Sequence, residues 1–308
     1  MEATNLSVIL VTRNRASLLT MALAHLEQQS YPAARFEILL VDAGSTDATP
    51  EVVQRYAAGA PVRIRTMRQE SSNATIARNS ALEAAKGQWV LFLDDDLLAG
   101  PRLVENHIAA QERAGGECAV IGQIDQHPQA DAKAFLGERE LGRRRTFLKN
   151  QPLRFLDWRI WNLSLPRSLL LDAGGFDEGF LVAGLDDIEL ASRLEQRGLR
   201  GIYCEEACAY LWMPLNLDEQ CRRYYAEGHT LPRVLEKTQS DIVRNRYLRP
   251  LRWGTPAPER LLLPLYRRAC MTLASNTRPF GFMCRRILLH ALRDGYRDAT
   301  RGIPPRLT

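Results

Sequence analysis

Apolar segments alternate with helical segments along the first 95 residues of the chain. Residues 6–12 (LSVILVT) form a nearly continuous apolar and β-branched run, which is typical of a strand buried on both faces. Similar runs recur at 36–41, 62–66 and 89–93, and amphipathic or alanine-rich segments separate them. This alternation predicts an α/β fold with an open, mostly parallel sheet flanked by helices and joined by right-handed crossovers.

Polar loops follow three of these predicted strands. The first loop holds Arg13 and Asn14, the second spans residues 42–47, and the third spans residues 94–96. In open α/β sheets, ligands bind beyond the carboxyl ends of the strands. Because parallel strands end at the same edge, these loops together predict one polar site.

Weaker patterns continue beyond residue 100. They predict strands at 119–124, 158–165 and 201–204, helices at 102–113, 167–172 and 186–197, and a helix with a mobile loop between 126 and 154. Three further helices are predicted at 217–237, 258–275 and 279–299. We therefore divide the chain into an α/β domain at 1–215 and a helical, basic C-terminal region at 216–308.

Charge is distributed unevenly along the 308 residues, whose formal net charge is +5. The first 220 residues hold 23 Lys+Arg and 30 Asp+Glu, whereas residues 221–308 hold 18 and 6, a net of +12. Arginines alternate with apolar clusters there, which leaves three interpretations open: peripheral contact with an anionic membrane, packing on the α/β domain, or an oligomer interface. Nucleic-acid binding is not expected, because no aromatic-interleaved module accompanies the arginines.

Composition excludes several protein classes. A hydrophobic fraction of 45% and a charged fraction of 25% exclude wholesale disorder, and no apolar run approaches the ~18–20 residues of a membrane span. The N-terminus lacks a basic segment before an apolar stretch, so we expect a cytoplasmic protein, with peripheral contact at the inner face of the membrane as an extension. Six cysteines without a CxxC pair predict reduced thiols.

Three consecutive aspartates, Asp94 to Asp96, follow the predicted strand at 89–93. Two carboxylates at positions i and i+2 in a loop can hold a hard divalent cation, such as Mg²⁺ or Mn²⁺, that also takes diphosphate oxygens. The alternative for an isolated acidic run is a solvated turn. The position of the three aspartates beside two other polar loops favours binding of a metal and a phosphate.

The order of the sequence blocks resembles that of the family 2 glycosyltransferases. The blocks are SVILVTRNR, LLVDAGSTDAT, NATIARNSALEAAKGQWVLFLDDD, NLSLPRSLLLDAGGFDEGFL and GLDDIELASRL, and they cover about residues 5–215. The resemblance implies the GT-A fold and a nucleotide-diphosphate sugar as donor. It says little about the C-terminal region.

The resemblance also implies roles for individual residues. Those expected at the nucleotide are Thr12, Asn14, Arg15, Asp42, Arg78, Asn79 and Asp94. The DDD segment matches the family's metal-binding DXD motif, so Asp94 and Asp96 are expected at the metal, and Asp95 occupies the variable middle position. Relatives often carry a histidine that completes the metal shell, and His229 is the nearest candidate here.

The segment from Gly184 to Leu190 matches the part of the family motif that contains the general base. Asp187 is our choice for the base, with Asp186 second, because a carboxylate at a helix N-terminus near the anomeric carbon can accept the proton of an acceptor hydroxyl. The structural alternative is stabilisation of a helix N-terminus. The residues expected at the acceptor are Trp161, Asn162 and Gly175.

Together these features predict a metal-dependent, inverting glycosyltransferase. The donor would be a UDP- or dTDP-type sugar, and the acceptor a hydroxyl of a glycan, polysaccharide or lipid-linked saccharide. Two alternatives are a catalytically silent GT-A module that binds a nucleotide or glycan, and a nucleotidyltransferase. The absence of a glycine-rich loop after the first strand counts against the latter.

Overall fold

A computed structural model describes residues 4–129, 149, 153–212, 217–252, 257–272 and 278–306. Within these ranges, eight strands form one sheet in the order β3-β2-β1-β4-β7-β6-β8-β5. The strands are β1 (Leu6–Thr12), β2 (Phe36–Ala43), β3 (Arg63–Gln69), β4 (Trp89–Leu93), β5 (Leu97–Ala99), β6 (Cys118–Gln126), β7 (Asn162–Pro166) and β8 (Arg200–Leu211). Strands β1 to β4 are parallel, β7 is antiparallel to β4 and β6, β6 is parallel to β8, and β5 is antiparallel to β8.

Helices cover both faces of the sheet. They are α1 (Ala16–Glu27), α2 (Thr49–Gly59), α3 (Ala74–Ala84), α4 (Leu103–Arg113), α5 (Arg167–Asp172), α6 (Asp186–Gln196), α7 (Leu217–Thr238), α8 (Ala257–Thr272) and α9 (Arg278–Thr300). Short helical turns lie at Ala33–Arg35, Phe155–Asp157, Asp241–Val243, Arg244–Leu248 and Arg249–Arg252. Among the described residues, no helix is long and apolar enough to cross a membrane.

Strand β1 shows why the sheet has a core on each face. Leu6, Val8 and Leu10 are fully buried in the core under α1, whereas Ile9 faces the opposite core with α3. A strand covered on both sides needs apolar residues at odd and even positions alike. The continuous apolar runs of the sequence therefore predict this α/β sheet correctly.

Two predicted strands were wrong in their extent, and the strand expected at 201–204 continues to Leu211. The strand expected at 158–165 begins only at Asn162, because residues 155–157 form a tight turn in which the Arg154 N–H donates to the Asp157 carboxylate. Trp158 therefore lies outside the sheet, where it is 1% exposed in the core. The expected helix and loop between 126 and 154 fall largely outside the described residues.

The first C-terminal helix, α7, packs on the α/β domain. Leu231 and Val234 are fully buried in the core that also holds residues of α3 and α6. Helix α9 crosses α7 closely at two glycines, since a Cβ on Gly228 would lie 1.9 Å from the Leu292 carbonyl oxygen and one on Gly295 would lie 2.0 Å from that of Tyr225. The predicted boundary at residue 215 lies outside the described residues, and the helix beyond it shares a core with the domain before it.

Candidate active site

Asn14 joins the loops that follow β1 and β2. It has a φ of 53°, in the left-handed region that asparagine tolerates better than most residues. Its N–H donates to Oγ of Ser45 at 2.9 Å, and its Oδ1 accepts from the N–H of Thr46 at 2.7 Å. The Asp47 side chain also forms a hydrogen bond within these loops: its carboxylate accepts from the N–H of Thr49 at 3.0 Å. The structure thus gives Asn14 a role in shaping the loops, and its contact with a nucleotide stays a prediction.

Asp42, at the end of β2, has one carboxylate oxygen without a hydrogen-bond partner. Its Oδ1 accepts from the Ser45 N–H at 2.9 Å. Among the described residues, nothing donates a hydrogen bond to the buried Oδ2, although Nη1 of Arg68 lies 3.9 Å away. A buried acceptor without a partner is costly. It therefore fits a site where a ligand supplies the missing donor.

The middle aspartate of the acidic loop, Asp95, binds two of the three residues of β1 and its loop that are predicted at the nucleotide. Its Oδ2 accepts from Oγ1 of Thr12 at 2.7 Å, and its Oδ1 accepts from Nη1 of Arg15 at 2.8 Å. Burial raises the pKa of Asp95, while Arg15 opposes that rise. The variable position of the motif thus has a structural role here, joining the end of β4 to the end of β1.

Asp96 lies between two arginines from distant parts of the chain. Its Oδ2 is 3.1 Å from Nη2 of Arg223 on α7 and 3.5 Å from Nη1 of Arg15. Its carbonyl oxygen accepts from the N–H of Trp212 at 3.2 Å. Asp96 is 4% exposed, so these guanidinium groups compensate a charge that is largely removed from water.

Asp94 is half-buried, and it lines a small pocket whose walls include Ile9, Phe92 and Ile160. Burial, followed by the neighbouring charge of Asp96, raises the pKa of Asp94 to about 7. A carboxylate whose pKa is raised by a neighbouring carboxylate fits a divalent cation, which would favour its charged form.

A magnesium-like ion is commonly held by one or two carboxylates and by phosphate oxygens, which matches the donor set of Asp94 and Asp96. Within the described residues, no group of three or more His, Cys, Asp or Glu side chains is arranged to hold a metal by itself. An ion here would therefore need ligands from a bound molecule or from water.

The N-terminus of α6 carries the two candidate bases, and each is paired with an arginine. Asp186 binds Nη1 of Arg78 at 3.0 Å and accepts from the N–H of Gly184 at 2.8 Å. Asp187 lies 2.8 Å from Nε of Arg159 and is 3% exposed. Both carboxylates are thus held in fixed positions at the start of one helix.

Burial raises the pKa of Asp187 to about 6, against the opposing effect of Arg159 and with a contribution from Asp186. Arg78 lowers the pKa of Asp187 as well as that of Asp94. It therefore lies within electrostatic range of both the acidic loop and the candidate base. This shared arginine indicates that the two acidic groups belong to one site.

One face of α7 completes the site. Its residues Arg223, Glu227, Thr230 and Arg233 follow a spacing of four, three and three, which places them on the same side of a helix. Arg223 contacts Asp96, Glu227 lies 3.3 Å from Nη2 of Arg159, the Thr230 hydroxyl accepts from the N–H of Leu185, and Arg233 binds both oxygens of Asp177.

Arg159, Arg223 and Glu227 were missed by the sequence interpretation. Arg159 links Asp187 to Glu227 and also lies over the Trp161 ring, with its Cζ 5.0 Å from the ring centroid. The regular spacing of polar residues along α7 could have identified Arg223 and Glu227, which lie on that helix. Trp161 is half-buried beside this cluster, so its predicted contact with an acceptor stays a prediction.

Asn162, which is predicted at the acceptor, lies in the core. Its side chain is 1% exposed, donates to the carbonyl oxygens of Gln123 and Ala207 at 3.0 and 2.9 Å, and lies 2.8 Å from Nε2 of His107. An amide with all of its polar atoms used inside the core has none left for a sugar. The structure thus places Asn162 at the start of a buried strand, β7, and does not bring it to the acidic residues of the site.

Asn79 and Gly175 contact each other. The Asn79 amide donates to the Phe176 carbonyl oxygen at 2.9 Å and accepts from its N–H at 2.8 Å. Gly175 has a φ of +64°, and a Cβ there would lie 2.5 Å from Oδ1 of Asn79. The absent side chain of Gly175 therefore makes room for Asn79, which stabilises this turn, and the predicted ligand contacts of both residues stay predictions.

His229 lies on the side of α7 that faces α9. Its Nε2 is 2.9 Å from the carbonyl oxygen of Ile303, and its ring lies beside that of Tyr225. The neighbouring glycine, Gly228, packs on α9 as well. The structure thus does not bring His229 to the acidic loop, because the face of α7 that reaches Asp96 carries Arg223 instead.

The model for glycosyl transferase family 2 matches residues 7–167. The chain is similar to validoxylamine A glucosyltransferase of Streptomyces hygroscopicus subsp. jinggangensis, with 30% identity over 63% of this chain and 52% of the relative. It is also similar to the hyaluronan synthase of Pasteurella multocida, with 26% identity over 75% of this chain and 27% of that protein. The chain thus spans about half the length, or less, of these curated relatives.

Solved structures show the same fold. The mannosyltransferase PcManGT from Pyrobaculum calidifontis, solved with GDP-Man and Mn²⁺, has a TM-score of 0.68 at 19% identity, over 97% of this chain and 88% of that one. Residues 1–349 of S. aureus TarS, solved with UDP-GlcNAc, give a TM-score of 0.59 at 16% identity, over 98% of this chain and 93% of that one.

Proposed function

Because the chain belongs to glycosyl transferase family 2, we propose that it transfers a sugar from a nucleoside diphosphate donor to a hydroxyl of a saccharide or lipid-linked acceptor. The observation that carries this proposal is the geometry of Asp187, a buried carboxylate held by Arg159 at the start of α6 and within range of Arg78, which also acts on Asp94 of the acidic loop. A carboxylate with a pKa near 6 is charged at neutral pH and still basic enough to accept a proton.

Asp187 acts as the general base in this proposal. It accepts the proton of the acceptor hydroxyl while the oxygen attacks the anomeric carbon from the side opposite the leaving diphosphate, which inverts the configuration. Asp186, which binds Arg78 and accepts from the Gly184 N–H, is the second candidate for the base. Arg159 and Glu227 hold Asp187 in position and set its basicity.

The nucleotide would lie along the ends of β1, β2 and β4. The free oxygen of Asp42 can accept from the ring N–H of a uracil or thymine, which supports a UDP- or dTDP-type donor. TarS, a structural neighbour, was solved with UDP-GlcNAc. Arg15 and Arg78 supply positive charge near the diphosphate.

The carboxylates of Asp94 and Asp96 would hold Mn²⁺ or Mg²⁺, as their donor atoms fit such an ion. When bound, the ion supplies positive charge that stabilises the leaving diphosphate. Asp95 keeps the acidic loop in place through Thr12 and Arg15. In support, PcManGT was solved with both GDP-Man and Mn²⁺.

The test is transfer or donor hydrolysis across a panel of nucleotide sugars with Mn²⁺. Asp187→Asn is expected to lower kcat by about 100-fold or more while nucleotide binding persists, and Asp96→Ala to remove metal-dependent turnover. Asp241→Asn, a change at an 88% exposed carboxylate, is the matched control. Inversion is read from the anomeric configuration of the product by NMR. Near-normal turnover in both site variants would refute the assignment, and calorimetric binding of UDP without turnover on any donor would favour the silent scaffold.

A further inference from the structure

Helix α8 presents large apolar side chains to solvent. Leu261 is 80% exposed, Leu265 is 60% exposed and Leu262 is 40% exposed. Scattered single apolar residues are ordinary on a protein surface, but these three lie within five residues of one helix. The positions i and i+4 of Leu261 and Leu265 place both side chains on the same side of α8.

This outward face is distinct from the face by which α8 packs on the protein. Leu263, Tyr266 and Cys270 are partly buried against a small cluster that contains Cys221 of α7 and Ile287 of α9. The helix therefore carries one apolar face toward its neighbours and a second apolar face that is left in water. The packing of the C-terminal helices explains only the first.

Helix α9 extends the outward face. Phe282 is 57% exposed, and its ring lies 6.5 Å from that of Tyr266 in an edge-to-face arrangement. Tyr266 lies one helical turn after Leu262, on the same side of α8, so this contact brings the Phe282 ring to the edge of the exposed apolar face of that helix. We define the outer apolar surface as Leu261, Leu262, Leu265 and Phe282.

Arginines lie beside this surface. Arg268 is exposed seven residues after Leu261, and Arg285 is exposed three residues after Phe282, so each follows an apolar side chain on the same side of its helix. They belong to the C-terminal stretch 221–308, whose 18 Lys+Arg and 6 Asp+Glu give a net charge of +12. A surface with an apolar centre and a basic edge is complementary to a partner that has an apolar interior and an anionic exterior.

We propose that the outer apolar surface docks on an anionic lipid bilayer. The leucines and Phe282 enter the boundary between headgroups and acyl chains, and Arg268 and Arg285 contact lipid phosphates, as is typical of amphipathic helices that lie in a membrane surface. A second copy of the chain is a poorer partner, because face-to-face association would bring these arginines of both copies together. The inference does not depend on sugar transfer.

The experiment is sedimentation of the full chain with vesicles, without donor or acceptor. Vesicles of phosphatidylcholine with an equal part of phosphatidylglycerol should bind the protein, and pure phosphatidylcholine vesicles should bind it at least about tenfold more weakly. Raised salt should weaken the binding, because ions screen the attraction of the arginines. Equal binding to both vesicle types, or none to either, would overturn the proposal.

Two double variants separate the apolar and basic contributions. Leu261→Gln with Leu265→Gln should weaken vesicle binding by about tenfold or more at both low and raised salt, since the burial of each leucine in the membrane is lost. Arg268→Gln with Arg285→Gln should weaken binding chiefly at low salt. The matched controls are Leu171→Gln, at a 36% exposed leucine of α5, and Arg63→Gln, at an exposed arginine of β3.

Two further measurements test the folding of the variants and the self-association of the protein. Thermal unfolding should be unchanged in the double variants, because the substituted side chains face solvent. Sedimentation equilibrium without vesicles tests the second copy as the alternative occupant. If the wild type associates with itself and Leu261→Gln with Leu265→Gln abolishes that association without changing vesicle binding, the surface is an oligomer interface and the proposal is wrong.

Discussion

Nη2 of Arg223 lies 3.1 Å from Oδ2 of Asp96, which connects helix α7 to the acidic loop after β4. The two residues are 127 positions apart in the chain. The contact places a guanidinium group on a carboxylate that the proposed function assigns to a metal ion. Arg223 therefore partly offsets the negative charge of the loop when no ion is bound.

Arg223→Gln should lower the Tm of the metal-free protein by about 1–2 °C, which corresponds to about 1 kcal/mol for a partly exposed arginine in a chain of this length. Added Mn²⁺ should raise the Tm of this variant more than that of the wild type, because the ion then replaces the missing charge. Differential scanning calorimetry measures both effects. Arg222→Gln, at the exposed neighbouring position, is the control, and identical behaviour of the two variants would contradict the prediction.

Asp42→Asn should weaken UDP binding by about 10- to 100-fold. The substitution keeps an acceptor for the Ser45 N–H but can place an amide NH₂ where the base would donate, so a hydrogen bond to a charged group is lost. Isothermal titration calorimetry gives the affinity. Asp47→Asn should change it little, because that carboxylate serves its own loop through Thr49. Equal affinities for wild type and Asp42→Asn would exclude Asp42 from base recognition.

The pH dependence of kcat/KM should show an inflection near pH 6 that belongs to Asp187. Below this value the base is protonated, and activity should fall about tenfold per pH unit. Arg159, Asp186, Glu227 and Arg78 are the charged groups that act on it, and burial is the largest cause of the raised pKa.

The effect of Asp187 on stability has the opposite sign. Because its folded pKa lies above the unfolded value of about 3.9, the folded state binds the proton more tightly. Its contribution to the free energy of unfolding therefore declines as pH rises from about 4 through 6. Activity lost between pH 6 and 5 should thus be regained on returning to neutral pH, and a circular dichroism spectrum unchanged at pH 5 would confirm that the fold persists.

Arg159→Gln should move the same inflection to higher pH by about one unit, because the nearest positive charge on Asp187 is removed. Part of kcat should return above the new inflection, which loss of folding alone would not produce. Arg154→Gln is the matched control, since Arg154 pairs with Glu195 at the far end of α6. An unshifted profile would mean that Arg159 does not set the basicity of Asp187.

The parts of this fold that follow from local sequence were predicted well. Strands β1, β2 and β4 are covered on both faces, so their continuous apolar runs identify them. The acidic loop follows one of these strands directly, which is why its place at the sheet edge could also be predicted.

The errors concern contacts between residues far apart in the chain. Asn79 meets the turn at Phe176 across 97 positions, and Asn162 meets Ala207 across 45. A local sequence pattern does not show which amide side chain forms its hydrogen bonds inside the protein and which remains available to a ligand. The contribution of α7 was missed for the same reason, although the polar spacing of its inner face was visible.

The network around Asn162 supports a prediction about stability. Asn162→Ala leaves the buried carbonyl oxygens of Gln123 and Ala207 without donors and should lower the free energy of unfolding by about 2–4 kcal/mol. Urea denaturation measures this loss. The acceptor KM at a temperature where the variant is folded should stay unchanged, and a raised KM would instead support a role of Asn162 at the acceptor.

Cys270 on α8 and Cys284 on α9 have sulfur atoms 3.2 Å apart, although both are free thiols. Diamide, a two-electron oxidant, should join them in a disulfide as each thiol gives up its proton and the diazene is reduced to a hydrazine. The reaction should be slow at neutral pH, since burial raises the pKa of the Cys284 thiol. Peptide mapping by mass spectrometry should find the Cys270–Cys284 link, while the buried Cys118 of β6 stays reduced. Cys284→Ser removes the link, and a wild type that keeps all six thiols under diamide would show that the two helices are not held in this arrangement.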